Sequence, residues 1–328
     1  MKQILVTGGG GFIGRHIVER LLGRGLKVTC LGRSLQPKLQ GQGVRTLQGD
    51  LAEPETVTSA CRGMDAVFHV AAKAGVWGKR QDFYHTNVLG TRNVVQACRE
   101  NHVPFLIYTS TPSVVFNGQP FSGEDESLPY GSNWLCHYAE TKAVAEREVL
   151  AANGADGLAT TALRPHLVWG TGDPHLLPRI IQRAKAGRLR IIGDGTNRVD
   201  ISHVSNVADA HLLALDALKD HRANGRAYFL SQGDSVVLWE WLNNLLARLN
   251  IPPVTRKISL QKAYAMGAIL EKLWTLLPLP GEPPMTRFVA VELAKNHYFN
   301  INAARRDLRY KPALSTNQGI DDFVQNHQ

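Results

Sequence analysis

The feature that most restricts what this chain can fold into is the run Thr7-Gly8-Gly9-Gly10-Gly11-Phe12-Ile13-Gly14. It follows an apolar, β-branched stretch, Gln3–Thr7. It opens into a segment whose apolar residues Ile13, Ile17, Leu21 and Leu22 share a helical face opposite Arg15, Glu19 and Arg20. Strand, glycine turn and helix in that order suit a dinucleotide. Glycines let the backbone approach the pyrophosphate, and the helix start offers free N–H groups to its charge. Gly8, Gly11, Phe12, Ile13 and Gly14 are therefore the expected phosphate contacts. A flexible glycine turn would be the plainer reading, but the flanking elements and a second strand at Lys27–Leu31 disfavour it.

The rest of the first half keeps that rhythm. Further strands are expected at Val44–Gln48, Ala66–Val70, Phe105–Thr109 and Thr160–Arg164, and helices at Glu53–Ala60, Phe83–Glu100 and Tyr138–Ala152. Alternation of this kind predicts an α/β fold, a Rossmann-type doubly wound parallel sheet covered on both faces. Past Pro165 proline and glycine become frequent and the pairing of helix with strand lapses. A helix starting at a capping Ser205 and ending at Leu218, a strand at Tyr228–Leu230 and a helix at Leu238–Leu249 are expected there. The domain reading is a nucleotide-binding domain over 1–163, with 205–230 returning to it. A smaller interleaved C-terminal substrate-binding lid would be built from 164–204 and 231–328.

The end of the second strand separates the two nicotinamide cofactors. An NAD enzyme places a carboxylate there for the ribose 2′-OH. This chain reads Cys30-Leu31-Gly32-Arg33-Ser34. The acid is missing, and the Arg33 guanidinium fork suits a 2′-phosphate, with Lys38 as a possible helper. A solvated loop arginine is the alternative, and NADP(H) is the expected cofactor. Asp50 and Leu51, after the third strand, suit the adenine edge.

Tyr138 and Lys142 stand four apart near the start of a helix, which puts phenol and ammonium on one face. A free tyrosine has a pKa of about 10, and a neighbouring cation favours its ionisation. Tyr138 would give its proton to a carbonyl oxygen as hydride reaches the carbon, and Lys142 would hold the nicotinamide ribose. A Y-x-x-x-K spacing also arises by chance. Here it lies one segment after the hydroxyl-rich strand end Thr109-Ser110-Thr111-Pro112-Ser113, any of whose hydroxyls could orient the substrate oxygen.

Thr7–Gly14, Asp50-Leu51, Phe68-His69-Val70-Ala71-Ala72, Asn87, Tyr108–Ser113, Tyr138/Lys142 and Arg164-Pro165 together resemble the extended short-chain dehydrogenase/reductase superfamily. Within it the chain is most similar to the 3β-hydroxysteroid dehydrogenase-like branch, and there to bacterial reductases of long-chain olefin biosynthesis. That likeness is carried by Ala71–Gly78, Leu163-Arg164-Pro165, Trp169-Gly170, His175–Arg179, Pro280-Gly281-Glu282 and Thr286-Arg287-Phe288. The resemblance implies Thr111 as the third catalytic residue, in place of the superfamily's usual serine, with Ser110 and Ser113 as fallbacks. It implies Ala71 and Pro165 as further cofactor contacts, and a structural or water-holding role for Asn87. Trp77, His166 and Trp169 would line the substrate pocket, with Tyr84 and the neighbourhood of His203. The implied reaction is reduction of a long-chain β-keto acid, branched at C2, to the β-hydroxy acid. Alternatives are a 3β-hydroxysteroid or sterol dehydrogenase, a sugar-nucleotide epimerase, which would want the missing acid, and a non-catalytic NADP-binding regulator, which would be free to lose the Tyr/Lys pair.

Composition narrows the partners. Lys and Arg number 37 against 28 Asp and Glu, for a net charge of +9. There is no dense basic block or finger signature, so nucleic acid is not expected. Four scattered cysteines and no H-E-x-x-H spacing point to a reduced, metal-free, cytoplasmic protein. The opening Met-Lys-Gln runs straight into a strand, so no cleavable leader is expected. The most apolar stretch, Ala263 to Pro280, is broken by Glu271 and Lys272 and is too short to span a bilayer. Its Met266, Leu270, Leu273, Trp274 and Leu277 could cover an acyl chain, pack in the core, or meet a membrane or partner. Arg179, Arg198 and Lys73 are candidates for a substrate carboxylate. The resemblance also implies a homodimer through Phe83–Glu100 and Tyr138–Ala152, and assembly with other pathway enzymes.

Overall fold

The computed structural model describes residues 1–277 and 279–327. Pro278, inside the expected Ala263–Pro280 stretch, and Gln328, the end of the expected lid range, lie outside the described residues. A seven-stranded, wholly parallel sheet runs in the order Arg226–Leu230, Ala159–Pro165, Phe105–Thr109, Ala66–His69, Gln3–Thr7, Lys27–Gly32, Arg45–Gln48. Period-two alternation gives each strand two buried faces. Ile4, Val6, Phe68, Ile107 and Leu163 pack on the side of helices Phe12–Gly23 and Val204–Lys219. Leu5, Val67, Leu106, Tyr108 and Ala162 pack on the side of Pro54–Cys61, Gly90–Glu100 and His137–Ala151. The strand order reverses between Gln3–Thr7 and Ala66–His69, which opens a crevice at the carboxyl ends of the strands.

A second core gathers around Trp169, Leu177, Ile192, Trp239, Leu242 and Phe323. Beside it runs a four-stranded sheet of Val236–Val237, Arg198–Val199, His297–Phe299 and Phe121–Glu124. Helix Leu260–Leu276 packs through Ala263, Gly267 and Glu271 and leaves Met266, Ile269, Leu273 and Leu276 exposed. Gly267 is required there, because a Cβ would stand 2.7 Å from the Arg287 nitrogen. No helix among the described residues is long and apolar enough to cross a membrane.

Two local expectations need correcting. Ser205 does not cap its helix: the helix begins at Val204, and the cap is His203, whose ring Nδ1 accepts from the Ser205 N–H at 3.3 Å. The segment expected as one α-helix over Phe83–Glu100 is an α-turn at Arg80–Tyr84, a π-turn at His85–Leu89, then α-helix Gly90–Glu100. All four cysteines are free and buried. Burial pushes the Cys30 and Cys136 thiols up to about 12, and the Cys98 thiol is raised by its hydrogen bond with Cys61 and by burial.

Candidate active site

A cleft of about 640 Å³ lies at the carboxyl end of the sheet. Gly8, Gly11, Phe12, Ile13, Gly14, Arg33, Asp50, Leu51, Ala71 and Pro165 line it, and Ser110, Thr111, Tyr138 and Lys142 close its far end. The glycines are there for space. Gly8 has φ +70°, and a Cβ would lie 2.8 Å from Ala71 Cα; a Cβ on Gly14 would run into the Gly8 carbonyl. The Gly11 N–H folds back onto the Gly8 carbonyl at 2.9 Å, and helix Phe12–Gly23 then begins with no side-chain cap and no acidic residue in its first turn. An uncapped, uncontested helix start facing a glycine cradle fits a diphosphate. Arg33 is exposed at the cleft edge, and Asp50 Oδ1 is spent on the Ala52 N–H at 2.9 Å.

A buried hydrogen-bonded chain holds the wall opposite the glycines. The Ala71 N–H donates to Thr7 Oγ1 (3.2 Å), which pairs with His69 Nδ1 (2.7 Å). His69 Nε2 pairs with Thr91 Oγ1 (2.9 Å), which donates to the Asn87 carbonyl (2.6 Å). Because Thr91 has spent its proton on that carbonyl, His69 must donate from Nε2 and accept at Nδ1. Burial, then the Lys142 charge, pushes the imidazole down to about 3 and keeps it neutral. Asn87, set in the π-turn, accepts from the Lys73 N–H at 2.7 Å and donates to the Lys73 carbonyl and Thr141 Oγ1, both at 3.1 Å. It ties the Ala72–Ala74 loop to the Tyr138 helix.

Tyr138, Lys142 and Glu146 are spaced i, i+4, i+8 along helix His137–Ala151. Lys142 Nζ donates to the Thr109 carbonyl at 2.6 Å and sits 4.0 Å from the centre of the Tyr108 ring. Burial drives its pKa down to about 7 against the opposing pull of Glu146. Burial pushes Tyr138 up to about 12, with the Thr111 hydroxyl pulling it back. Glu146 is fully buried and takes Arg164 Nε on both oxygens at 3.1 Å, and Tyr130 OH at 2.9 Å. That pair locks the helix to the strand ending in Pro165, a cleft residue.

Of the three hydroxyls, Thr111 and Ser110 face the cleft. The Ser110 hydroxyl finds no partner among the described residues, whereas Thr111 donates to Ser113 Oγ at 3.2 Å. Ser113 stands behind Thr111 and does not line the cleft. The expected aromatic lining is not brought there. Trp169 is fully buried in the second core against His203 and Trp241. His166 is buried and turned away, its Nε2 2.6 Å from His297 Nδ1, and Trp77 lies outside the cleft. His166 follows the strand Ala159–Pro165 and its N–H bonds the Leu230 carbonyl at 3.2 Å, while Trp169 sits in the two-residue strand Val168–Trp169, which pairs with Ser202–His203. His166, His297 and Glu292 stand together, their ligand atoms within 4.8 Å of one another; the two rings bond each other directly and His297 Nε2 faces the Glu292 carbonyl at 2.6 Å. The basic candidates are engaged: Arg179 with Glu282 (2.8 Å), Arg198 with Ser235 (3.0 Å), Lys73 with Asp82 (3.8 Å). Sequence reasoning missed Gln36, Thr86, Pro174 and His175 on the cleft wall. Gln36 packs so closely over Gly10 that a Cβ there would displace it.

The profile of the family described as "3-beta hydroxysteroid dehydrogenase/isomerase family" matches residues 5–260. A 2-alkyl-3-oxoalkanoate reductase of Stenotrophomonas maltophilia is 48% identical over 97% of this chain and 97% of its own length. One from Shewanella oneidensis is 45% identical over 98% of this chain and 85% of its own. Among solved structures, MoeE5 in complex with UDP-glucose and NAD superposes with a TM-score of 0.75 at 26% identity, covering 99% of this chain and 98% of that one.

Proposed function

The chain belongs to the 3-beta hydroxysteroid dehydrogenase/isomerase family, and from that premise we propose that it reduces a long-chain 2-alkyl-3-oxoalkanoate to the 2-alkyl-3-hydroxyalkanoate with NADPH. It is an oxidoreductase of the short-chain dehydrogenase class, acting between ketone and secondary alcohol with a nicotinamide cofactor. The observation that carries the reading is the convergence of Tyr138, Lys142 and Thr111 at the end of a glycine-cradled cleft, in a chain nearly half identical to reductases of that substrate. The NADPH preference rests on Arg33 at the cleft edge where an acid would serve NAD.

Gly8, Gly11 and the start of helix Phe12–Gly23 would hold the diphosphate, Asp50 and Leu51 the adenine, and Arg33 the 2′-phosphate. When bound, the cofactor supplies the hydride. Thr111 and Ser110 hold the ketone oxygen in the line of the Tyr138 phenol, and Tyr138 gives that oxygen its proton. Lys142, carried on the same helix face, holds the ribose and, as an ammonium, favours the phenolate left behind.

The test is oxidation of NADPH and of NADH by the purified protein with a long-chain 2-alkyl-3-oxo acid, beside a 3-ketosteroid. Turnover of the keto acid with NADPH preferred is expected. Turnover of the steroid alone would transfer the substrate to the sterol alternative, and equal use of NADH would remove the role given to Arg33.

A further inference from the structure

A second cavity, of about 480 Å³, lies between helix Leu260–Leu276, the Phe116–Gly118 loop and the segment that leads into the Tyr138 helix. Its size falls within the ~300–1,000 Å³ of ordinary ligand sites. Its apolar wall is Phe116, Leu135, Leu260, Tyr264, Ala265 and Val291, and its rim is polar, with Asn117, Asn133 and Gln261. Lys295, also on the rim, donates to the Gly118 carbonyl at 2.6 Å.

Three of those wall residues belong to a small apolar cluster separate from the main cores. Phe116 and Val291 are buried members of it and Leu135 packs against it, with Cys136, Ala139 and Phe288. The outer layer of the same cluster, half-buried, includes Val76 and Tyr138. Tyr138 is also at the closed end of the cofactor cleft, next to the Ala72–Ala74 wall. One packed apolar cluster, with Val76, Leu135 and Phe116 among its residues, therefore stands between the reacting end of the cleft and the second cavity, and an arm reaching from one to the other would lie along its side chains.

Building on the reading that the substrate is a keto acid with long alkyl arms, we infer that this second cavity seats one of those arms. A 2-alkyl-3-oxo acid carries two chains that diverge from adjacent carbons, and a cleft filled by a dinucleotide leaves them no apolar room on the glycine side. The cavity shares no lining residue with that cleft and borders the apolar cluster against which Tyr138 packs. The cavity wall would then read chain length, while the carboxyl and ketone stay at Tyr138 and Thr111. Each methylene added to such a wall changes discrimination by roughly 10–200-fold at its strongest.

The experiment fills the cavity from its exposed side. Ala265 and Gln261 are solvent-exposed on the helix and touch neither cofactor cleft nor catalytic residues, so Ala265→Trp and Gln261→Trp leave the fold intact, checked by Tm. Ala265→Trp is expected to lower kcat/KM for a keto acid with two long arms by about tenfold or more. Turnover of 2-methyl-3-oxobutanoate is expected to stay within about twofold of the parent. Gln261→Trp should give the same split. An unchanged long-to-short ratio in both variants overturns the inference, as does an equal loss on both substrates. A binding arm stands apart from the reaction: cis-parinaric acid fluorescence with the parent and each variant. If the parent reduces neither keto acid, the proposed reaction falls. The cavity is then judged by that probe, supported by weaker binding in the variants and overturned by equal binding.

Discussion

Glu146→Gln isolates what the buried ion pair does for the fold and for the proposed chemistry. Gln keeps the shape and its one oxygen can still accept from Tyr130 and Arg164, while its NH2 replaces the oxygen that also accepted from Arg164 Nε, so the charge and one hydrogen bond are lost. Arg164, 3% exposed, is then left as an uncompensated buried cation, a situation that costs about 3–5 kcal/mol. With an unfolding entropy near 2.1 cal/mol/K per residue, 328 residues give ~0.7 kcal/mol/K and a Tm lower by about 4–7 °C. The same change removes the one neighbour that raises the Lys142 pKa, which burial holds at about 7. A lower pKa means the ammonium is lost at lower pH, so the alkaline limb of kcat/KM moves acidward by about 1 pH unit. Replacing both partners, Glu146→Leu with Arg164→Met, removes the orphaned charge and is expected to recover most of the lost Tm. Calorimetry and a pH profile of NADPH oxidation read the two effects separately. A single variant with unchanged Tm and an unmoved alkaline limb refutes the account of this pair.

Further expectations follow from other parts of the site. Arg33→Ala should raise the KM for NADPH about tenfold, the low end for an exposed charge-assisted contact, and leave NADH kinetics alone; equal changes for both would detach Arg33 from the 2′-phosphate. Gly14→Ala places a methyl against the Gly8 carbonyl and should abolish cofactor binding, read by NADPH fluorescence, in a chain that still folds. Thr111→Ser should keep most of kcat and Thr111→Val lose about 100-fold or more, whereas full activity in the valine variant would pass the role to Ser110. The buried histidines make the fold acid-labile: His69 sits at about 3 and His211 at about 4, both pushed down by burial. Such rings take up protons more readily unfolded, so stability holds above the ordinary histidine range near 6.5 and falls as pH drops through it. Each contributes a loss of roughly 3 kcal/mol by pH 4, and a flat Tm between pH 7 and 4 would contradict this.

What could be read from the chain was what depends on neighbours in sequence. The glycine cradle, the strand before it and the i, i+4 pair of Tyr138 and Lys142 are local patterns, and the parallel sheet follows from period-two runs set between amphipathic helices. Some local contacts escaped that reading: the His203 cap that displaced Ser205 acts two residues away, and the Asp173 carboxylate receives the N–H groups of His175, Leu176 and Leu177 at 2.8, 3.0 and 2.8 Å. His166 and Trp169 were expected as pocket lining on the family resemblance alone. Trp169 is buried where Val168–Trp169 pairs with Ser202–His203, and His166 bonds His297 at 2.6 Å, contacts that span sequence gaps no local pattern reports. The Phe121–Glu124 strand was hidden for a similar reason: it is short, contains Gly123, and owes its existence to His297–Phe299.

The sealed cysteines make the chain its own chronometer. A thiol buried beneath Gly9, another in the cluster under Tyr138 and two more behind the sheet are out of reach while the fold is closed. A disulfide reagent in excess would therefore be consumed only as molecules open, and the order in which Cys136, Cys30 and the Cys61/Cys98 pair react would time the loosening of successive regions. For the same reason electrophilic compounds aimed at cysteine would find no foothold in this enzyme until it had begun to unfold.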